Sequence, residues 1–290
     1  METSELLKKV RQIEIKTRGL SKNIFAGQYH SAFKGRGMAF SEVREYQYGD
    51  DIRDIDWNVT ARQNAPHIKI FEEERELTVM LLVDVSGSRE FGTINKTKQE
   101  MITEIAATMA FSAIQNNDKI GVIFFSDRIE KYIPPQKGKK HVLAIISELI
   151  NFQPVERGTD INKVLQYITN AQKKRCTTFL ISDFIDERDF QKALTIANNK
   201  HDMVAIQVYD PRETELPPVG LIKMKDAETG EEVWIDASSK KTRERYASWW
   251  KTNQQKAVDS FNKSRVDTVS IATNEDFVPA LMGMFKKRGS

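Results

Sequence analysis

The sequence predicts an α/β fold: a doubly wound, mostly parallel sheet with helices on both faces. Three observations lead there. From about residue 76 onward, apolar runs and helical patterns alternate. The runs are continuously apolar, as strands buried on both faces are. Parallel strands joined through helices take right-handed crossovers, which wind the chain onto both faces of the sheet.

Residues 3–18 place Leu6, Val10 and Ile13 at helical spacing behind a cap at Thr3 or Ser4. Residues 19–50 are polar and Gly-rich, with scattered aromatics (Phe25, Tyr29, Phe33, Phe40, Tyr46, Tyr48), and follow no single period. "ELTVMLLVD" (76–84) is a strand, and "KTKQEMITEIAATMAFSAIQ" (96–115) a helix with Met101, Ile105 and Met109 on one face. A strand "KIGVIFFSD" (119–127) and a helix "KHVLAIISELI" (140–150) follow. The helix "DINKVLQYITNAQ" (160–172) aligns Ile161, Val164, Leu165 and Ile168. Next come strand 177–183, helix 187–199 and strand 202–210. An excursion then reads as a hairpin turning near Glu228-Thr229-Gly230, followed by a helix over 243–263 with Tyr246, Trp250, Ala257 and Phe261 on one face and Trp249 to the side. Strand 266–273 and helix 275–287 close the chain. The pattern divides it into an N-terminal segment, residues 1–75, packed on a main domain, residues 76–290.

Of the 290 residues, 40% are apolar and 29% charged, the balance of a globular protein rather than a disordered one. Lys and Arg number 44 against 41 Asp and Glu, so the net charge of +3 does not point to nucleic acid. A single cysteine, Cys176, allows no intrachain disulfide and reads as a passive thiol. No apolar run approaches the roughly 18 residues of a membrane span. The N-terminus "METSELLKKVRQ" lacks an apolar signal core. A cytoplasmic protein is expected.

The stretch "LLVDVSGSREFG" (81–92) ends a core strand in Asp84, followed by Ser86 and Ser88. Ligands of open parallel sheets bind at the carboxyl ends of strands, where the strand order reverses. Two further segments carry matching chemistry: "RGTDI" puts Thr159 in a loop before a helix, and "ISDF" puts Asp183 at a strand tip. Two carboxylates and three hydroxyls, with no nitrogen or sulfur, suit a hard cation such as Mg²⁺ or Mn²⁺ and suit Zn²⁺ poorly. Taken alone, Asp-x-Ser-x-Ser also fits a strand-to-helix turn whose serines cap the helix.

Asp84-x-Ser86-x-Ser88, then Thr159, then Asp183, resembles the metal-ion-dependent adhesion site of von Willebrand factor A domains. The resemblance implies one divalent ion (Mg²⁺, or Mn²⁺ or Ca²⁺) held by these five residues, its shell completed by an acidic residue of a partner protein. Arg89 stands where many such domains carry an apolar residue, an expected change at the rim. Residues 35–88, from "GRGMAFSEVREYQYGDDIRDIDW" through "LLVDVSGS", together with "ATNEDFVPALMGMFKKR" at the end, resemble the bacterial domain of unknown function 58. That resemblance implies an adaptor beside a MoxR-type AAA+ ATPase and other von Willebrand A-domain proteins, acting in complex assembly or stress tolerance.

The crowded acids and arginines of "REYQYGDDIRDIDW" (44–57) read either as an interaction surface or as mutual pairing around a packed Trp57, and pairing is preferred. "FEEER" (71–75) and "KGKKH" (137–141) read as solvated charge. No phosphate-binding Gly-Lys-Ser/Thr loop, Gly-x-Ser-x-Gly elbow or His-Glu-x-x-His spacing is present. A Mg²⁺-dependent phosphotransferase or hydrolase using Asp84 as nucleophile is the alternative. Ser86 stands where such enzymes place their second acid, so a non-enzymatic protein is expected.

Overall fold

The computed structural model of the chain describes residues 39–63, 65–72, 77–92 and 96–289. The helix expected over 3–18 lies outside them, as does most of the acidic run 71–75. The chain divides into two compact units, one within residues 34–76 and a larger one from Leu77 onward.

In the small unit, strands β1 (Ala39–Glu45) and β2 (His67–Glu72) pair antiparallel and are joined through a 3₁₀ turn and helix α1 (Trp57–Gln63). The charges here do pair: Arg44 grips both oxygens of Asp50 at 2.8 Å, and Arg53 pairs with Asp51. Asp56 caps α1 by accepting from the amides of Asn58 and Val59. Trp57, expected to be packed, is instead 70% exposed. It begins a two-turn helix beside a lone two-stranded ribbon, which has no apolar layer thick enough to cover it.

The large unit is built on a six-stranded sheet in the order β10-β7-β6-β3-β4-β5. The strands are β3 (Thr78–Asp84), β4 (Lys119–Phe125), β5 (Ile129–Gln136), β6 (Thr177–Ser182), β7 (Asp202–Tyr209) and β10 (Asp267–Ala272). All neighbours run parallel except β4 and β5. Side chains alternate across a strand, so β3 sends Leu81 and Val83 to one face and Met80 and Leu82 to the other. Helices α2 (Lys98–Gln115), α3 (Lys139–Asn151) and α7 (Phe277–Gly289) cover the first face. Helices α4 (Ile161–Ala171), α5 (Gln191–Lys200) and α6 (Lys240–Ser264) cover the second. The expected α/β class and double winding are therefore the architecture observed. On α6, Trp250, Ala257 and Phe261 are buried and Trp249 is 47% exposed, as its helical face predicts.

β5 had no counterpart in the sequence reading. It is half-buried and contains Pro134 and Pro135, which lack the amide a central strand needs but are tolerated on an edge. Between β7 and β10 the chain makes the expected hairpin, β8 (Leu221–Lys225) and β9 (Glu232–Asp236), as a separate two-stranded sheet. Its turn uses Gly230 at φ +75°. After β3 the chain adds β4 on one side, then returns to place β6 on the other. The order thus reverses at β3, and a crevice opens at the carboxyl ends of β3 and β6.

Candidate metal centre

Register places the first two groups. Val83 pairs with Ile181, which brings Asp84 abreast of Ser182. The Ser182 hydroxyl donates to Asp84 Oδ2 at 2.6 Å, and the Ser86 amide donates to Asp84 Oδ1 at 2.9 Å. Beyond the strand the chain folds into a 3₁₀ turn (Gly87–Glu90) that holds Ser86 Oγ 3.1 Å from Ser88 Oγ. Asp183 follows directly on β6. Its Oδ1 accepts from the Ile185 amide at 3.2 Å, and its Oδ2 from Lys98 Nζ at 2.8 Å. The Ser88 side chain is also hydrogen-bonded to it. Thr159 ends the loop before α4, where Arg188 donates to its carbonyl at 2.7 Å. Its own hydroxyl donates to Glu228 Oε1 at 2.7 Å. Of the five residues singled out in the sequence, Asp84 thus ends β3 and the other four lie on loops at the same end of the sheet, and Asp84, Ser86, Thr159 and Asp183 are buried.

The two carboxylates titrate in opposite directions. Burial, then the charge of Asp183, pushes Asp84 up to about 6, against the Ser182 hydroxyl that favours its ionised form. Burial would raise Asp183 too, but the Lys98 ammonium outweighs it, and Asp183 is held below the usual carboxylate range. Lys98 is 1% exposed and bridges Asp183 to Glu213, with Nζ to Oε1 at 2.6 Å. Burial alone would lower Lys98; the two flanking carboxylates hold it above its ordinary value.

Sequence reasoning missed four groups. Ser182 was visible beside Asp183 in "ISDF" and needed only the strand register to be assigned. Lys98 lies on α2, 14 positions beyond Asp84 in the numbering, and Glu213 on a turn after β7; only the fold joins them. Glu228 was read only as a turn residue. Burial pushes it up to about 7, opposed by the Thr159 hydroxyl and reinforced by the charges of Asp84 and Asp183. Arg89 corrects an expectation. It is 7% exposed, turned inward, and donates to the Phe152 carbonyl at 2.5 Å. A 3₁₀ turn rotates successive side chains by a third of a circle, so the residue after Ser88 faces the interior rather than the rim.

The donor set fits a hard cation. It consists of oxygen alone, and the donors to Asp84, the Ser182 hydroxyl and the amide and side chain of Ser86, are neutral rather than an ammonium or guanidinium. At the metal–oxygen distance typical of Mg²⁺, adjacent corners of an octahedron lie roughly 2.9 Å apart. The Ser86–Ser88 spacing of 3.1 Å is close to that edge. Among the described residues, no three His, Cys, Asp or Glu side chains converge as a metal site, so the hydroxyls are essential to the set.

Comparison with known proteins places the chain in a family. Uncharacterized protein Rv1480 of Mycobacterium tuberculosis is 29% identical over 223 residues, covering 76% of this chain and 70% of its own. Uncharacterized protein YeaD of Bacillus subtilis is 26% identical over 122 residues, 42% of this chain and 27% of its own. Among solved structures, BatB from Bacteroides thetaiotaomicron aligns with a TM-score of 0.49 at 15% identity, covering 73% of this chain and 98% of that one. The SpRpn10 VWA domain aligns at 0.42 and 14%, covering 72% and 94%. The model of the family described as protein of unknown function DUF58 matches residues 42–256, and the chain belongs to that family.

Proposed function

We propose that this chain is a non-enzymatic interaction module that takes an acidic side chain of a partner protein through a divalent ion. Asp84, Ser86, Ser88, Thr159 and Asp183 hold the ion, Mg²⁺ first and Mn²⁺ or Ca²⁺ as substitutes. The observation that carries this reading is the pair of buried carboxylates, Asp84 and Asp183, beside the Ser86 and Ser88 hydroxyls at the point where strand order reverses, with the loop of Thr159 joined to theirs through the Gly87 amide and the Arg157 carbonyl. When bound, the ion supplies the attraction for one external anionic oxygen. The chain's own groups shape that attraction. Ser182 and the Ser86 amide fix the Asp84 carboxylate in place. Lys98 fixes Asp183 and offsets part of its charge, and the three hydroxyls are neutral, so the ion's charge is not over-compensated.

The partner favoured by the family resemblance is a MoxR-type AAA+ ATPase, with other von Willebrand A-domain proteins in the same assembly. No carboxylate stands two residues beyond Asp84 to serve as acid and base, which supports binding over phosphotransfer. Capture of a purified MoxR-type ATPase on the immobilised chain, in Mg²⁺ or in EDTA, tests the reading. Retention in Mg²⁺ alone, lost in Asp84→Ala, is expected; retention in both buffers moves the contact elsewhere.

A further inference from the structure

We propose that Glu228, at the tip of the β8–β9 hairpin, is a further ligand of the same ion: the chain's own carboxylate fills the position that a partner's acid takes, so a partner must displace the hairpin to bind. This rests on the metal-dependent reading above and adds its regulation.

Three independent features place Glu228 there. Its Oε1 accepts the Thr159 hydroxyl at 2.7 Å, a hydrogen bond that holds the carboxylate beside one of the five ligands. The turn aims it. Asp226 Oδ1 accepts the amides of Glu228 and Thr229 at 2.9 and 2.8 Å, and the Asp226 carbonyl accepts from Gly230 at 3.0 Å. Asp226, Ala227 and Thr229 remain exposed while Glu228 alone of the tip turns inward. The opposing loop is shaped to receive the tip. The Ala227 carbonyl oxygen lies 2.1 Å from where a Cβ on Gly87 would stand, so only glycine between Ser86 and Ser88 admits the hairpin.

Charge and cohesion make the contact conditional. The charges of Asp84 and Asp183 bear on Glu228, whose contact is the neutral Thr159 hydroxyl, and the three carboxylates stand apart rather than converging on one point. Without a cation the three repel one another; with one, all three are drawn inward. The hairpin itself is a two-stranded ribbon with Leu221, Val233 and Trp234 exposed, a type of element with little stability of its own. Its inner face, Ile222, Met224 and Ile235, is only half-buried, so the contacts of its tip add to a weak hold, and an acidic side chain from outside competes with Glu228 on equal chemical terms.

The test uses the full chain as wild type, Glu228→Gln, Asp84→Ala and a control, Glu231→Gln. Mg²⁺ affinity is read by titration calorimetry, and backbone hydrogen exchange over residues 221–236 is read with Mg²⁺ or EDTA. Mg²⁺ is expected to slow exchange across the hairpin in wild type and Glu231→Gln. Glu228→Gln should lose that protection and bind Mg²⁺ at least tenfold more weakly, about the loss seen when even an outer-shell group of a metal site is removed. Glu228→Gln with wild-type affinity and full Mg²⁺-dependent protection would overturn the inference and leave the five-residue site standing. Mg²⁺ binding absent from wild type, or unchanged in Asp84→Ala, would overturn both.

Discussion

Lys98 is the group that pairs the buried acids of the crevice. It is an ammonium 1% exposed between Asp183 and Glu213. Removing one partner of a buried ion pair strands the other charge and costs about 3–5 kcal/mol. Lys98→Met should therefore lower unfolding stability by that order, read as a shift in urea midpoint with unchanged slope. Asp84 and Asp183 respond to pH with opposite sign. Asp183 is held below its ordinary value, so its contribution is present above its unfolded pKa near 3.8 and lost as pH falls through the lower folded value. Asp84 is pushed up to about 6, so its ionised form costs stability above that pH, and the cost fades as protons bind below it. A metal relieves that cost only while Asp84 is ionised. The rise in melting temperature on adding Mg²⁺ should thus be large at pH 8 and shrink as pH falls through about 6. A gain independent of pH from 8 to 5 would rule Asp84 out as a ligand.

The β8–β9 hairpin is the element whose fate is most sensitive to one atom. Gly87→Ala puts a methyl 2.1 Å from the Ala227 carbonyl oxygen, and the blocking atom is backbone, so the tip must lift. Overpacking of this kind costs about 1–3 kcal/mol where the structure cannot yield. Here the ribbon can yield, and faster amide exchange over 221–236 at nearly unchanged global stability is expected. Slow exchange with a large drop in stability would show the hairpin to be an integral part of the core. Buried elements were legible in the sequence because their signal is local: continuous apolar runs for β3, β4, β6 and β7, and aligned Ile161, Val164, Leu165 and Ile168 for α4. β5 was not, because an edge strand buries only part of itself and Pro134 and Pro135 argue against a ladder. The hairpin turn was legible at Gly230, but the reach of Glu228 was not, since no local pattern reports which distant loop a turn touches.

For the whole molecule, the strand order turns scattered residues into a site. Asp84 and Asp183 are 99 positions apart by number yet leave adjacent strands, because β6 returns to the side of β3 opposite β4. Their strand-end placement could be read from sequence, since each follows an apolar run. The supporting groups Lys98 and Glu213 could not, because their meeting depends on how α2 and the turn after β7 pack. Binding of an ion to the folded state alone stabilises that state by mass action, about 2.7 kcal/mol at a hundredfold excess over Kd. The stabilisation by Mg²⁺ should accordingly vanish in Asp84→Ala. The most direct measurement is calorimetric titration of Mg²⁺ into the full chain and into Asp84→Ala, with circular dichroism to verify that both are folded. One equivalent of ion bound by the wild type and none by the variant is the predicted result. No binding by the wild type, or equal binding by both, would contradict the account.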